Sequence, residues 1–430
     1  MLMKDIRDLP AATRRLLVLN MVNNLGSGLI MPFLVVYVHE VNGLSVTVAT
    51  TALAVVSAGA LAGAPMAGRL ADRRGAEVAA VAHLTVQAVG LMSYAAASTP
   101  AQFMVSAAVF GIGIGGAAAW NTMLARSAPS SVHPIVFSLN FTAVNVSIGL
   151  GGLVGAATVS LAHPASFRVL YVVDAVSCAL VALAVVVNLV GKRSPATERA
   201  SEPARKEVSY SILLRHPAFL AVLAAGGALF CVTYAQFESG FPVYVITHTR
   251  LTAAELGVLF AANTVCVVAA QLALHRTLKR LAHTRSLVTA ASLWAISWAL
   301  VSATALTGEH APQFALLLAA VAVFAVAETF YAAGMPTLVN ALAPDEARGR
   351  FNAAHSMSMS IGFMVGPLAA GVFLGGTGAG WFLVAMCLVC LCVAGVFAGA
   401  RLRLPDQVTR KSEPDGYAPV RTTTSQPEEA

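Results

Sequence analysis

Glu328 lies in the middle of a long apolar run, and no other acidic residue of this 430-residue chain sits so deep in one. Tyr331 follows three residues later, on the same side of a helix. A charge at the centre of a bilayer costs roughly 2.5–3.5 kcal/mol on insertion scales, so a carboxyl placed there signals a function. Desolvation favours the neutral form of a carboxyl, the property needed by a group that takes up and releases a proton. Neutralisation by a polar neighbour is the other reading. Glu238 stands toward the end of another apolar run, one turn beyond Tyr234. It is either a second proton carrier or a residue of the membrane surface. Asp174, near the start of a third run, reads as structural, with Arg168 as its expected partner. Asn20, Asn23, Asn24 and Ser27 form a polar stripe at helical spacing. Such a stripe suits contact with substrate or water, or hydrogen bonding to a neighbouring helix. His83 and His355 lie near the ends of their runs and read as packing or surface residues.

The runs that hold these residues define the class. Hydrophobic residues make up 57% of the chain and charged residues 11%, against roughly 25% charged in soluble domains. A helix crossing a bilayer core needs about 20 apolar residues. Runs of that kind are expected at 16–38, 46–67, 78–97, 102–124, 134–161, 168–190, 217–246, 255–274, 287–306, 313–342, 352–374 and 381–400. The first follows Lys4, Arg7, Arg14 and Arg15, but it is too long for a signal-peptide core and no small-residue cleavage site follows it. It reads as an uncleaved first helix. The expectation is an all-α integral membrane protein with twelve transmembrane helices.

The charge pattern sets its orientation. Of the 27 Lys and Arg, 25 fall in the termini and alternate connections, and only Arg168 and Arg250 fall on the other side. By the positive-inside rule both termini are expected in the cytoplasm, in the cell membrane. The net charge of +7 therefore reflects topology; no basic stripe on one surface points to nucleic acid. The expected divisions are a six-helix half at 1–190, a cytoplasmic linker at 191–216 containing Pro195 and Pro203, a second six-helix half at 217–400, and a disordered tail at 401–430. The halves echo each other at an offset of 215: Thr122 matches Thr337, Ala128 Ala343, Pro129 Pro344, Gly151 Gly366 and Leu153 Leu368. Weak internal symmetry is expected of transporters built from parallel repeats.

Two motifs carry a family resemblance. After the second run comes Gly68-Arg69-Leu70-Ala71-Asp72-Arg73-Arg74-Gly75, which resembles the signature loop of the major facilitator superfamily, a Gly, three residues, then Asp-Arg-x-Gly. The family usually continues with basic residues, where Ala76 and Glu77 stand here. The fifth run carries Gly149, Gly151, Gly152 and Gly155, and the eleventh Gly362, Gly366 and Pro367. These resemble the glycine motif associated with export, with Gly152 where that motif has proline. With Glu328, Pro336 and the 343–351 connection, the chain is similar to bacterial twelve-helix multidrug and metabolite proton antiporters. The resemblance implies a cytoplasmic gate formed by Gly68, Asp72, Arg73 and Gly75 together with Arg126. It implies a central cavity lined by helices 1, 4, 7 and 10, with substrate met by Asn20, Asn23, Asn24, Ser27, Tyr234, Glu328 and Tyr331. Proton coupling would fall to Glu328 and Glu238, in a monomer working by alternating access on a small molecule.

Other chemistries find less support. No HExxH cluster, nucleophile–base arrangement or P-loop is present, so neither an enzyme nor an ATP-driven pump is expected, and no cofactor or metal. Gly111, Gly113, Gly115 and Gly116 mimic a nucleotide fingerprint but lie within an apolar run with no preceding strand. Cys387 and Cys390 have a redox-like spacing inside an apolar run and read as buried thiols. Proton-coupled efflux of a small organic compound is the favoured reading. An uptake symporter or uniporter is the alternative, and a membrane-embedded enzyme a remote one.

Overall fold

Local signals set where the helices begin. Thr99 and Gln102, and Thr252 and Glu255, form reciprocal capping boxes, and Ser45 accepts from the backbone N–H of Val48. Pro100 and Pro217 occupy first-turn positions where a missing N–H costs nothing. The computed structural model describes residues 9–129, 132–187, 215–344, 347–376 and 378–403. Among them every regular element is helical, and twelve helices are long and apolar enough to cross a membrane. These are α1 (Ala11–Val41), α2 (Val46–Arg74), α3 (Ala76–Ala96), α4 (Pro100–Arg126), α5 (His133–Thr158) and α6 (Ala165–Val185). The second set is α7 (217–248), α8 (Ala253–Arg280), α9 (His283–Ala303), α10 (His310–Leu342), α11 (Arg348–Leu374) and α12 (Ala379–Arg403). Most of the 191–216 segment and of the 401–430 tail lies outside the described residues.

Helix α7 departs from the continuous span expected. It runs as Pro217–Val232, Tyr234–Glu238 and Gly240–His248, with Thr233 and Ser239 off helical geometry. Pro242 explains the second break, since its ring clashes with the carbonyl four residues back and it has no N–H to donate. An unsatisfied backbone group inside a membrane costs several kcal/mol, and side chains meet that demand here. Trp298 Nε1 of α9 donates to the Val232 carbonyl at 2.9 Å, and Gln236 Nε2 donates to Cys231 O at 3.2 Å and to Gly366 O of α11 at 2.8 Å. Helix α2 also differs from expectation. It continues to Arg74, so Gly68–Arg74 forms its last turns rather than a loop, and Gly75 ends it at φ +99°, a conformation that favours glycine.

Small residues let helices approach backbone to backbone. Gly151 of α5 lies against Leu25 O and Gly28 of α1, and the offset partner Gly366 of α11 lies against Ala235 and Cys231 O of α7. Side chains such as Leu272 of α8, Val372 of α11 and Trp381 of α12 are more than 70% exposed, as an outer surface facing lipid requires.

The described contacts between the halves lie at mid-height and toward the end opposite Asp72. Ser57 Oγ of α2 donates to Phe363 O of α11 at 3.2 Å, and nearer that far end Thr47 and Thr50 meet Gly375 and Gly371. On the other flank α5 meets α8 through Gly149 with Thr264 and Ala156 with Gly257.

Candidate functional site

The sequence reading pooled the polar stripe of α1 with Tyr234, Glu328 and Tyr331. The structure separates them into two walls. In the first half a cavity of about 290 Å³ is lined by Asn20, Asn23, Asn24 and Ser27 of α1, His83 and Gln87 of α3, Trp120 and Asn121 of α4, and Asn140 of α5. The stripe therefore faces open space and also bonds to a neighbouring helix. Asn24 Nδ2 donates to Asn20 Oδ1 at 3.0 Å, and Asn20 Nδ2 donates to Asn140 Oδ1 at 2.7 Å. Each carboxamide offers both donors and an acceptor, so the wall is rich in hydrogen-bonding capacity and its lining contains no carboxylate.

His83 is buried, packed against the glycines of α4, and also borders this cavity. Its Nδ1 lies 2.9 Å from Ile112 O and 3.3 Å from Gly113 O. Carbonyls only accept, so Nδ1 carries a hydrogen. The glycines of α4 make this possible, because a Cβ on Gly116 would overlap the His83 ring and one on Gly113 would overlap Gln87. The glycine run is packing, as its apolar context suggested.

The second half is built from aromatic rings around acids. Glu328 of α10 is half-buried, and its Oε2 accepts from Asn263 Nδ2 of α8 at 3.2 Å. The Tyr234 hydroxyl lies beside this carboxyl. Tyr234 stacks on Phe230 at 4.6 Å between centroids and lies 6.0 Å from Tyr331 and 5.7 Å from Trp294. The Tyr331 hydroxyl is buried without a hydrogen-bond partner. Glu238, carried on the short middle piece of α7, lies close enough to Glu328 to interact with it electrostatically. It lines a cavity of about 210 Å³ between the halves, with Ser57, Ile114, Ser239, Ser360 and Phe363. Ile114 of α4 borders both cavities.

Asn263 escaped the sequence reading, although an amide in the middle of the apolar run of α8 was a visible signal. Asn140, Gln87 and Asn121 were missed because their spans lack the repeated spacing that marks α1. Asp174 does not pair with Arg168: the acid is fully buried against α1, while Arg168 is exposed. At the other end of the molecule Asp72, Arg73 and Arg126 are exposed, Gly68 has open space beside it, and among the described residues no ion pair joins Asp72 to Arg126. The residues expected to form a gate therefore share one end of the molecule.

The arrangement matches known proteins over most of its length. The family model described as Major Facilitator Superfamily matches residues 16–252 and 240–426. The uncharacterised MFS-type transporter YttB of Bacillus subtilis (strain 168) is 23% identical over 368 residues, covering 85% of this chain and 89% of that protein. A Na(+), Li(+), K(+)/H(+) antiporter of Planococcus maritimus is 25% identical over 370 residues, covering 79% of this chain and 84% of the antiporter. In structure, a bacterial homologue of the human lysosomal transporter Spinster, inward-facing and unoccupied, superposes with a TM-score of 0.71 at 14% identity, covering 93% of this chain and 98% of the other. With twelve membrane-spanning helices in two halves of six and a family match across both, the chain belongs to the Major Facilitator Superfamily of membrane transporters.

Proposed function

We propose that this chain exports a small organic compound in exchange for protons, by alternating access between its two halves. The observation that carries the reading is the Glu328 carboxyl, bonded to Asn263 and flanked by Tyr234 at mid-membrane depth, within interaction range of Glu238. A carboxyl so placed changes its hydrogen-bonding demands when it gains or loses a proton, and its neighbours lie on α7 and α8, which meet the first half. The similarity to an antiporter that exchanges cations for H+ supports proton exchange. The amide wall of α1, α3, α4 and α5 would hold the polar part of the substrate, and the ring cluster around Tyr234 its apolar part. With the basic end in the cytoplasm, the halves meet toward the outside, and the conformation is the one open to the cytoplasm. Both termini are then cytoplasmic, and reporters inserted at Gly43 and Gly376, which have open space around them, should report the outside.

The test begins with a thermal-shift screen of the purified protein against amphiphilic drugs, sugars and amino acids, since a ligand of the native state raises the melting temperature by mass action. The compound found is then loaded into cells. Collapse of the proton gradient should raise its cellular level; a fall would establish uptake instead.

A further inference from the structure

Asp174 of α6 has no place in the mechanism above, yet its surroundings are unusual for a carboxyl. It is fully buried. Its Oδ1 lies 3.2 Å from Ser177 Oγ, which also reaches the Asp174 backbone carbonyl at 2.9 Å, and 3.8 Å from Cys178 Sγ, while Oδ2 has no partner among the described residues. The carboxyl faces Gly26 of α1, where an added Cβ would overlap Oδ1. The hydroxyls of Tyr94 on α3 and Tyr171 on α6 are also buried without partners, and the two rings stack 5.5 Å apart. Tyr37 of α1 completes the cluster, 4.9 Å from Tyr171. Among the described residues the titratable groups shown beside Asp174 are Tyr171 and Cys178 of α6, with Tyr37 of α1 and Tyr94 of α3 packed on Tyr171. All are weak acids, and none supplies a positive charge. An ionised carboxylate in such a place bears a large desolvation cost with no compensating cation, whereas a neutral carboxyl needs only ordinary hydrogen bonds.

Cys178 links this carboxyl to the cavity. Its Sγ lies between two oxygen acceptors, Asp174 Oδ1 at 3.8 Å and Asn23 Oδ1 at 3.4 Å. A thiol has a single hydrogen and donates to one acceptor at a time. An ionised Asp174 claims that hydrogen; a neutral Asp174 leaves it for Asn23, which lines the 290 Å³ cavity. We propose that Asp174 is a proton-binding site of the first half, neutral in this conformation, exchanging its proton with cavity water past Cys178 and Asn23. The Asn23 carboxamide at the cavity wall gains or loses a hydrogen bond as that proton arrives or leaves. The exchange is a simple dissociation of the carboxyl, with the proton passing to water. The inference depends neither on the direction of transport nor on Glu328.

Infrared spectra of the purified full-length chain test it without knowledge of the substrate. Glu238→Gln and Glu328→Gln together remove the other carboxyls of the membrane interior. At neutral pH the remaining protein should show one protonated-carboxyl carbonyl band, which shifts in D2O and disappears with Asp174→Asn. Should that variant fail to fold, carboxyl-13C aspartate must shift the band in the protein that retains Asp174. Cys178→Ala should change the frequency of the band, because the thiol no longer contacts the carboxyl. Absence of the band in folded protein, or a band insensitive to aspartate labelling, overturns the proposal. Loss of the band on adding sodium, lithium or potassium chloride at constant pH also overturns it, revealing a metal-cation site in place of a proton site.

Discussion

The wall that α1, α3, α4 and α5 give to the interior is rich in carboxamides, with a histidine and a tryptophan, whereas α7, α9 and α10 supply aromatic rings, α7 and α10 two glutamates, and α8 the amide of Asn263. Both walls rest on the same device, a glycine of α5 or α11 pressed against the first helix of its own half. The difference teaches where a change of charge can be felt. An amide exchanges one hydrogen-bond partner for another without changing charge, so the carboxamides of the first wall offer donors and acceptors that stay neutral themselves. A carboxyl at mid-depth switches between a neutral and a charged state that differ by kilocalories in such surroundings. The second wall is therefore suited to drive the conformational change and the first to recognise the cargo.

The sharpest way to break this division is Glu328→Gln, which fixes the second wall in a form resembling the protonated acid. The variant should fold and bind ligand in a thermal-shift assay, because the α1 stripe is untouched. Proton-driven accumulation in reconstituted vesicles should vanish, while exchange of substrate at equal pH on both sides continues. Uphill movement at the wild-type rate and pH dependence, at matched expression, would remove Glu328 from coupling and direct suspicion to Glu238.

The shared glycine device yields the next effect. A leucine at Gly151 would press on the backbone of Leu25 and Gly28, and one at Gly366 on Ala235 and the Cys231 carbonyl. Overpacking of this kind costs about 1–3 kcal/mol, so both variants should unfold earlier in a detergent titration. Their consequences for transport should diverge at a temperature where both remain folded. Gly366→Leu disturbs the broken stretch of α7 that carries Tyr234 and Glu238, and should reduce coupled transport more than Gly151→Leu does. Equal losses would show that the two walls do not divide their tasks.

Much of this frame was legible from residues alone. All twelve spans were, because about 20 apolar residues per crossing leave little freedom, and the Gly151–Gly366 echo located equivalent contacts in the two halves. Glu328 stood out because a mid-membrane acid is costly. The break in α7 was not legible. Pro242 marks one end of it, but the carbonyls freed by the other are met by Trp298 and Gln236, and sequence does not reveal which side chain fills a gap from another helix. Asp174 was misjudged for the same reason. Its nearest opposite charge in sequence is Arg168, yet helical geometry turns the acid inward against Gly26 and the arginine outward.

The basic end offers a smaller effect. Asp72 is exposed and unpaired with Arg126 in this conformation, so Asp72→Asn should leave the present state undisturbed and weaken only a state in which that end closes. An exposed ion pair is worth about 0.2–1 kcal/mol, which limits the population shift to about fivefold. Spin labels on α2 and α11 at that end should show the open distance enriched by no more than this factor, with transport lowered accordingly. An unchanged distribution would reduce the motif to a topological signal.

The smallest effect tests whether the amide wall is held by its own bonds or by packing. Asn20 Nδ2 donates to Asn140 Oδ1 at 2.7 Å, joining α1 to α5 beside the cavity. The pair contains no charge, and interhelical hydrogen bonds of membrane proteins average about 0.6 kcal/mol in double-mutant cycles. The cycle Asn20→Ala, Asn140→Ala and the double variant, followed by reversible unfolding in mixed detergent, should return a coupling near that average. The same two helices also pack backbone to backbone at Gly151 and Gly28, so neither single variant should approach the cost of Gly151→Leu. Binding should respond more than stability, since each truncation removes a donor and an acceptor from the cavity wall. A coupling several times the average would mean that the amide ladder fixes the position of α1, and the first wall would then be a structural element before it is a recognition surface.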